Sequence, residues 1–283
     1  MILVFGKTGQ VASALQRDAR VRALGRSAAD LADPGACARV IRDLAPRAVI
    51  NAAAWTEVDL AEDAEAAATV VNGAVPGAMA RACAELDIPF VQISTDYVFD
   101  GSGNTPWRPD SPVAPLGAYG RSKLAGERAV RAAGGTYAIL RTSWVFSAQG
   151  RNFVKTMLRL GAERRSVQVV ADQIGGPTAA ADIAAACLHM ADALHTRPAL
   201  AGVYHFSGAP DVSWADFARA IFAQAGLRCA VQDIASADYP QKARRPCNSR
   251  LDCSTLQGAF GIARPDWRQS LDRVLDDLKG CTP

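Results

Sequence analysis

Met1-Ile2-Leu3-Val4-Phe5-Gly6-Lys7-Thr8-Gly9-Gln10-Val11-Ala12 decides the fold. An apolar run that stops at a glycine is the pattern of a strand buried on both faces of a parallel sheet. Val11, Ala14 and Leu15 then recur at helical spacing. Strand, glycine turn and helix in this order form the arrangement in which a helix start faces a dinucleotide pyrophosphate. The glycines are spaced GxxGxxA instead of GxGxxG. Gly6-Lys7-Thr8 also invites a phosphate-loop reading, but that motif needs a glycine where Met1 stands, so it is rejected.

Outward from this stretch the alternation continues. Val21 to Leu24 reads as a second strand, ending at Gly25-Arg26-Ser27. An acid at this point would bond a ribose 2′-hydroxyl, whereas an arginine accommodates a 2′-phosphate. Here Arg26 stands without an acid before it; the alternative is a solvated surface arginine. Pro34 to Ala45 is a helix, and Ala48 to Ile50 a third strand that delivers Asn51-Ala52-Ala53-Ala54. Small side chains at a strand's carboxyl end allow a ligand to approach closely. Glu62 to Leu86 is helical, carries Asn72, and is expected to be interrupted at Pro76. Pro89 to Ile93 is a fourth strand that places Ser94-Thr95-Asp96 at its end. The pattern predicts an α/β protein: a Rossmann-like, doubly wound parallel sheet with right-handed crossovers.

A loop rich in Gly, Pro and Asp leads to Tyr119-Gly120-Arg121-Ser122-Lys123, on a predicted helix. Residues four apart share a helix face, so an ammonium comes near a phenol and is expected to lower its pKa. A phenol so tuned exchanges a proton with a carbonyl oxygen near neutral pH. Tyr137 to Arg141 is a further strand. Beyond residue 148 the sequence changes character, with a helix after Asn152, a strand at Val167 to Val170, a helix at Ala181 to Ala193, a strand at Val203 to Phe206, a helix at Trp214 to Ala225 and a terminal helix from about Arg268 to Lys279. Residues 1–148, with about 179–205 returning to them, form the expected dinucleotide domain. Residues 149–178 and 206–283 form a smaller α/β substrate-binding lobe.

Composition excludes several functions. The chain has 283 residues, 49% of them hydrophobic, and a formal charge of +3 without a dense basic run, which argues against nucleic acid. No apolar run approaches the ~20 residues of a membrane span. Seven scattered cysteines with no CxxC pair, and a start that lacks a signal-peptide pattern, are expected of reduced thiols in the cytoplasm. The histidines show no metal-ligand spacing, and Cys247 has no recognisable base beside it. Taken singly, Trp144 reads as core and Asp96 as a cap for the next element.

FGKTGQV (residues 5–11), STDYVF (94–99), RTSWV (141–145), KTMLRL (155–160), DQIGGPT (172–178) and ARRPCNSRL (243–251) together resemble the extended short-chain dehydrogenase/reductases. More narrowly, they look like the family of reductases of dTDP-4-dehydrorhamnose. This resemblance implies that Thr95 and Tyr119 polarise a 4-keto oxygen, that Tyr119 donates the proton, and that Lys123 holds nicotinamide ribose hydroxyls. It implies a cofactor site of Gly6, Thr8, Gly9, Gln10, Val11, Arg26, Asp30, Leu31 and Ala52 to Ala54, with NADPH expected and NADH possible. Asp96, Trp144, Asn152, Arg244 and Arg245 are the implied nucleotide-sugar contacts, the two arginines as diphosphate forks or as a solvated turn. Relatives with a magnesium-linked dimer carry glutamates where this chain has Ala14 and Ala180, so magnesium is not expected and a monomer or weak homodimer is. The alternatives are a reductase or epimerase of another deoxysugar nucleotide, and a non-catalytic, NADP-binding regulatory subunit.

Overall fold

A computed structural model describes residues 1–239 and 241–280; Cys281, counted above among the thiols, lies outside them. The chain starts with β1 (Ile2–Phe5), α1 (Gln10–Leu15), β2 (Val21–Leu24), α2 (Pro34–Leu44) and β3 (Ala48–Asn51). Next come α3 (Val58–Ala61), α4 (Glu65–Thr69), a π-helical turn (Val70–Ala74) and α5 (Val75–Glu85). They are followed by β4 (Phe90–Thr95), α6 (Ala118–Ala133) and β5 (Tyr137–Thr142). The second half holds β6 (Val145–Phe146), α7 (Phe153–Glu163), β7 (Ser166–Val170), β8 (Ile174–Gly175), β9 (Thr178–Ala179) and α8 (Ala180–Thr196). It ends with β10 (Gly202–His205), β11 (Val212–Ser213), α9 (Trp214–Gln224), β12 (Ala230–Ile234), β13 (Asn248–Ser249), α10 (Ser254–Phe260) and α11 (Trp267–Gly280).

Six strands form one parallel sheet in the order β10-β5-β4-β3-β1-β2. The winding reverses between β1 and β3, so the ligand crevice lies beyond the carboxyl ends of those two strands. The period of two explains why the apolar runs are unbroken. Ile2, Val4, Ile50, Val91 and Leu140 face α8 and α10, while Leu3, Phe5, Val49, Phe90 and Ile139 face α2 and α5. Each such side chain, once buried, contributes roughly 1.5–3 kcal/mol. β10 extends this sheet although some 60 residues separate it from β5.

The other core is built from α7, α9 and α11 around Phe146, Phe217, Phe222 and Trp267, with β7 paired to β12 beneath it. A three-stranded sheet, β11-β8-β13, and the pair β6-β9 join this part to the main sheet. Among the described residues no helix is long and apolar enough to cross a membrane.

The expected break at Pro76 does not occur. Pro76 sits in the first turn of α5, where a missing N–H is tolerated. The π-helical turn before it widens the chain, and the Asn72 carbonyl, four residues back, lies against α6. A Cβ on Gly126 would meet that oxygen at 2.0 Å. Only glycine lets α6 pack this closely, and α6 carries Tyr119 and Lys123.

Candidate active site

β4 ends in Thr95, whose hydroxyl accepts from Tyr97 N (3.2 Å) and so caps the 3-10 turn Asp96–Val98. The Thr95 hydroxyl donates to Asp96 Oδ1 (3.0 Å) and is hydrogen-bonded to the Tyr119 phenol. Tyr119 packs edge-on to Tyr97, with ring centroids 5.5 Å apart. One turn along α6, Lys123 is buried and donates from Nζ to the Ile93 carbonyl at 2.7 Å. Thr95, Tyr119 and Lys123 therefore meet at the carboxyl end of β4.

The electrostatics differ from the sequence expectation in one respect. The Tyr119 phenol is pushed up, not down, to about 12: burial dominates, Asp96 adds to it, and only the Thr95 hydrogen bond opposes. Burial also holds Lys123 down to about 8, against the pull of Glu127. The strained member is thus the ammonium, and the phenol keeps its proton. Asp96 is raised to about 6 by burial, countered by the Ser249 and Thr95 hydroxyls, and its Oδ2 has no partner among the described residues.

Behind these residues lies a buried charged network. Glu127, four residues beyond Lys123, accepts from Ser94 Oγ (2.6 Å) and from Arg141 through Nε (2.9 Å) and Nη2 (2.7 Å). Arg141 also donates to the Pro109 carbonyl (3.2 Å) and meets His205 Nε2 at 3.3 Å. Burial and the Arg141 charge hold His205 down to about 3. The imidazole is therefore neutral, with Nε2 accepting from Arg141 and Nδ1 donating to the Trp107 carbonyl (3.0 Å).

At the switch point Gly6 takes φ +111°, and a Cβ there would lie 3.2 Å from the Ala52 carbonyl group. Gly6, Gly9 and the backbone of Ala52 to Ala54 make a floor without bulky side chains. Val11 is buried in the core beneath it, Thr8 is exposed, and Leu31 packs on the α2 side of the sheet. Arg26 is 86% exposed and stands 3.6 Å from Asp30. Lys7, passed over in the sequence, lays its stem beside Gly25 and so brings a second cation to that edge.

Two implied contacts have other work. Gln10 accepts from Ser147 Oγ (2.9 Å) and Asn152 Nδ2 (3.0 Å), bracing the glycine turn against the chain after β6. Asn152, expected at the sugar, caps α7 by accepting from Lys155 N and donates to the Ser147 carbonyl (2.7 Å). Its amide is satisfied at the cofactor side of the crevice. Trp144 stacks on Trp214 at 3.6 Å yet stays partly exposed, and its φ of +50° is a strained value for a tryptophan. Such strain, worth about 1–3 kcal/mol, persists mostly at functional sites. Arg244 and Arg245 line a cavity of about 410 Å³ with Gln173, Tyr239 and Cys247.

Residues 1–279 match the family model described as RmlD substrate binding domain. The dTDP-4-dehydrorhamnose reductase of Burkholderia thailandensis is 45% identical, covering 98% of either chain, and that of Sinorhizobium fredii is 44% identical over 97% of this chain and 96% of its own. This chain belongs to the dTDP-4-dehydrorhamnose reductase family.

Solved structures agree. The dTDP-4-dehydrorhamnose reductase of Clostridium acetobutylicum superposes with a TM-score of 0.92 at 34% identity, covering 98% of this chain and 99% of that one. The Bacillus anthracis reductase in complex with NADP gives 0.91 at 33% identity, over 98% of each chain. In the present chain, the sequence pattern placed Asn72 on a helix without a role and left Glu127 and Asp59 unmarked. Asn72 ties the site together, accepting from Trp55 N (2.9 Å) and donating to the Trp55 carbonyl (3.0 Å) and Ser122 Oγ (2.9 Å). The i, i+4 step from Lys123 was the available signal for Glu127.

Proposed function

We propose that this protein reduces the 4-keto group of dTDP-4-dehydro-L-rhamnose to give dTDP-L-rhamnose, with NADPH as its cofactor. The observation that carries this reading is the Thr95–Tyr119 hydroxyl pair with Lys123 one turn along, at the edge of the switch-point crevice. The floor of Gly6, Gly9 and the Ala52 backbone suits a pyrophosphate, and Arg26 and Lys7 suit a 2′-phosphate. Bound there, a reduced nicotinamide supplies the hydride. Thr95 and Tyr119 hold the keto oxygen, Tyr119 gives it a proton, and Lys123 donates to ribose hydroxyls and offsets the charge left on the phenolate. Asp96 and Trp144 lie against the sugar, and Arg244 meets the diphosphate. The test is NADPH oxidation with freshly prepared dTDP-4-dehydro-L-rhamnose, followed by identification of the sugar. Turnover that yields dTDP-L-rhamnose supports the reading. No turnover, with NADPH still bound, would point to a regulatory subunit.

NADPH is expected to exceed NADH by at least about tenfold in kcat/KM, since a charge-assisted contact contributes roughly 1.5–3 kcal/mol. The 2′-phosphate must draw Arg26 away from Asp30, a pair too exposed to resist strongly. Steady-state kinetics of Arg26→Ala with both cofactors decide the matter: an unchanged preference removes Arg26 from this role.

Activity is expected to survive excess EDTA. Ala14 and Ala180 offer no side-chain oxygen, and the next acid along the chain, Asp182, already accepts from Ser270 Oγ (2.6 Å) and Arg273 (3.2 Å). Arg17 and Asp277 pair across the same groove at 3.0 Å. A hard cation would have to displace these partners. A several-fold loss of rate in EDTA that magnesium restores would overturn the expectation.

A further inference from the structure

Residues 236–239 and 241–247 run along the 410 Å³ cavity and are tied down at both ends. At one end the Asp172 carboxylate accepts from Ser236 N (2.9 Å) and Ser236 Oγ (2.5 Å). At the other end the ties come from α3 and the turn just after it, on the far side of the crevice. Asp59 accepts from Ala243 N through Oδ1 (3.0 Å) and from Arg245 Nη2 through Oδ2 (2.9 Å), and Asp63 pairs with Lys242. Gln241 takes the Arg245 Nε–H at 3.0 Å. Two donor nitrogens of the Arg245 fork are thus fixed, while the third, Nη1, is buried without a partner among the described residues. A buried guanidinium N–H that lacks an acceptor is costly, so its acceptor has to arrive with a ligand.

We infer that Asp59 is the positioning residue for Arg245: it latches the 241–247 segment across the crevice and sets the guanidinium plane so that Nη1 meets an oxygen of the substrate's nucleoside diphosphate. The inference rests on the nucleotide-sugar reading of the cavity given above. Arg245 is 14% exposed at its side chain and Asp59 48%, so the pair adds little to the stability of the free protein. Its effect falls on binding. A long side chain already held in one rotamer loses less freedom when its ligand arrives, and the planar fork fixes the direction of the remaining N–H. Because Asp59 offsets its charge, Arg245 supplies direction, and the exposed Arg244 on the same wall supplies attraction for the anion.

Asp59→Asn keeps the shape and one oxygen acceptor but removes the charge. The expected result is a KM for dTDP-4-dehydro-L-rhamnose raised at least about fivefold, with kcat changed less than about twofold and with NADPH binding and melting temperature unchanged. Arg245→Ala should raise KM by at least as much, and Asp59→Asn added to it should raise KM no further, because coupled residues are not additive. Two outcomes overturn the latch while leaving the substrate reading intact: Arg245→Ala raises KM and Asp59→Asn does not, or Asp59→Asn lowers KM, which would make the carboxylate a competitor for the guanidinium. If Arg245→Ala itself leaves KM unchanged, the nucleotide-sugar reading of this wall fails and the latch fails with it.

Discussion

Tyr119→Phe lowers kcat by at least about a hundredfold while NADPH still binds. Loss of a positioned general acid costs about 10²–10⁴ in rate. Phenylalanine keeps the ring that packs against Tyr97 but leaves Thr95 alone at the carbonyl oxygen, with no proton to give. The same site sets the pH range of the wild-type enzyme. Tyr119, held up to about 12, stays protonated throughout, whereas Lys123 is charged below about 8 and loses its proton as the pH rises through that value. The kcat/KM profile, which reports the free enzyme, is therefore expected to fall on the alkaline side near pH 8. Single-turnover measurements on the variant, with NADPH affinity determined by fluorescence titration, check the first result. Near wild-type turnover would remove Tyr119 from the chemistry.

The second large effect is on stability. Glu127→Ala is expected to destabilise the fold by about 3–5 kcal/mol, because it strands the Arg141 cation in the core. Arg141 is 3% exposed and, without the carboxylate, keeps only the Pro109 carbonyl and a neutral imidazole as hydrogen-bond partners. For a chain of this size the melting temperature should fall by roughly 10 °C, taking about 2–4 °C per kcal/mol. Replacing both partners, Glu127→Met with Arg141→Met, should recover part of the loss, since no unpaired charge remains. A loss below about 1 kcal/mol for the single variant, measured by denaturant unfolding, would show that water reaches Arg141.

The main sheet and the Tyr119–Lys123 pair were legible because each is written in local pattern, whereas Thr95 was joined to them through the family resemblance. The apolar run into Gly6 and the four-residue step from Tyr119 to Lys123 need no tertiary knowledge. What was hidden depends on elements distant in sequence. Strands of two residues such as β8 and β13 have no period to detect. The π-helical turn follows from Pro76 and Gly126 acting together, fifty residues apart, so Pro76 read alone suggested a break. The direction of the Tyr119 shift was misjudged for a related reason. Spacing puts Lys123 on the same helix face, but burial, which spacing does not reveal, sets the direction, and only the Thr95 hydrogen bond opposes it. Asn152 was implied as a nucleotide-sugar contact, and in the fold its amide bonds to Gln10, Ser147 and the start of α7.

The strand order has a consequence for the ribosome. β5 is complete at Thr142, but the strand that covers its free edge, β10, begins only at Gly202, and α8, the longest helix on one face of the sheet, lies between them. At about 5–20 residues per second, roughly 60 residues take about 3–12 s to synthesise. For that interval the nascent chain carries an open parallel edge and a bare row of Ile2, Val4, Ile50, Val91 and Leu140. Birth, more than the finished state, is when this protein is most exposed to aggregation and has most need of a chaperone.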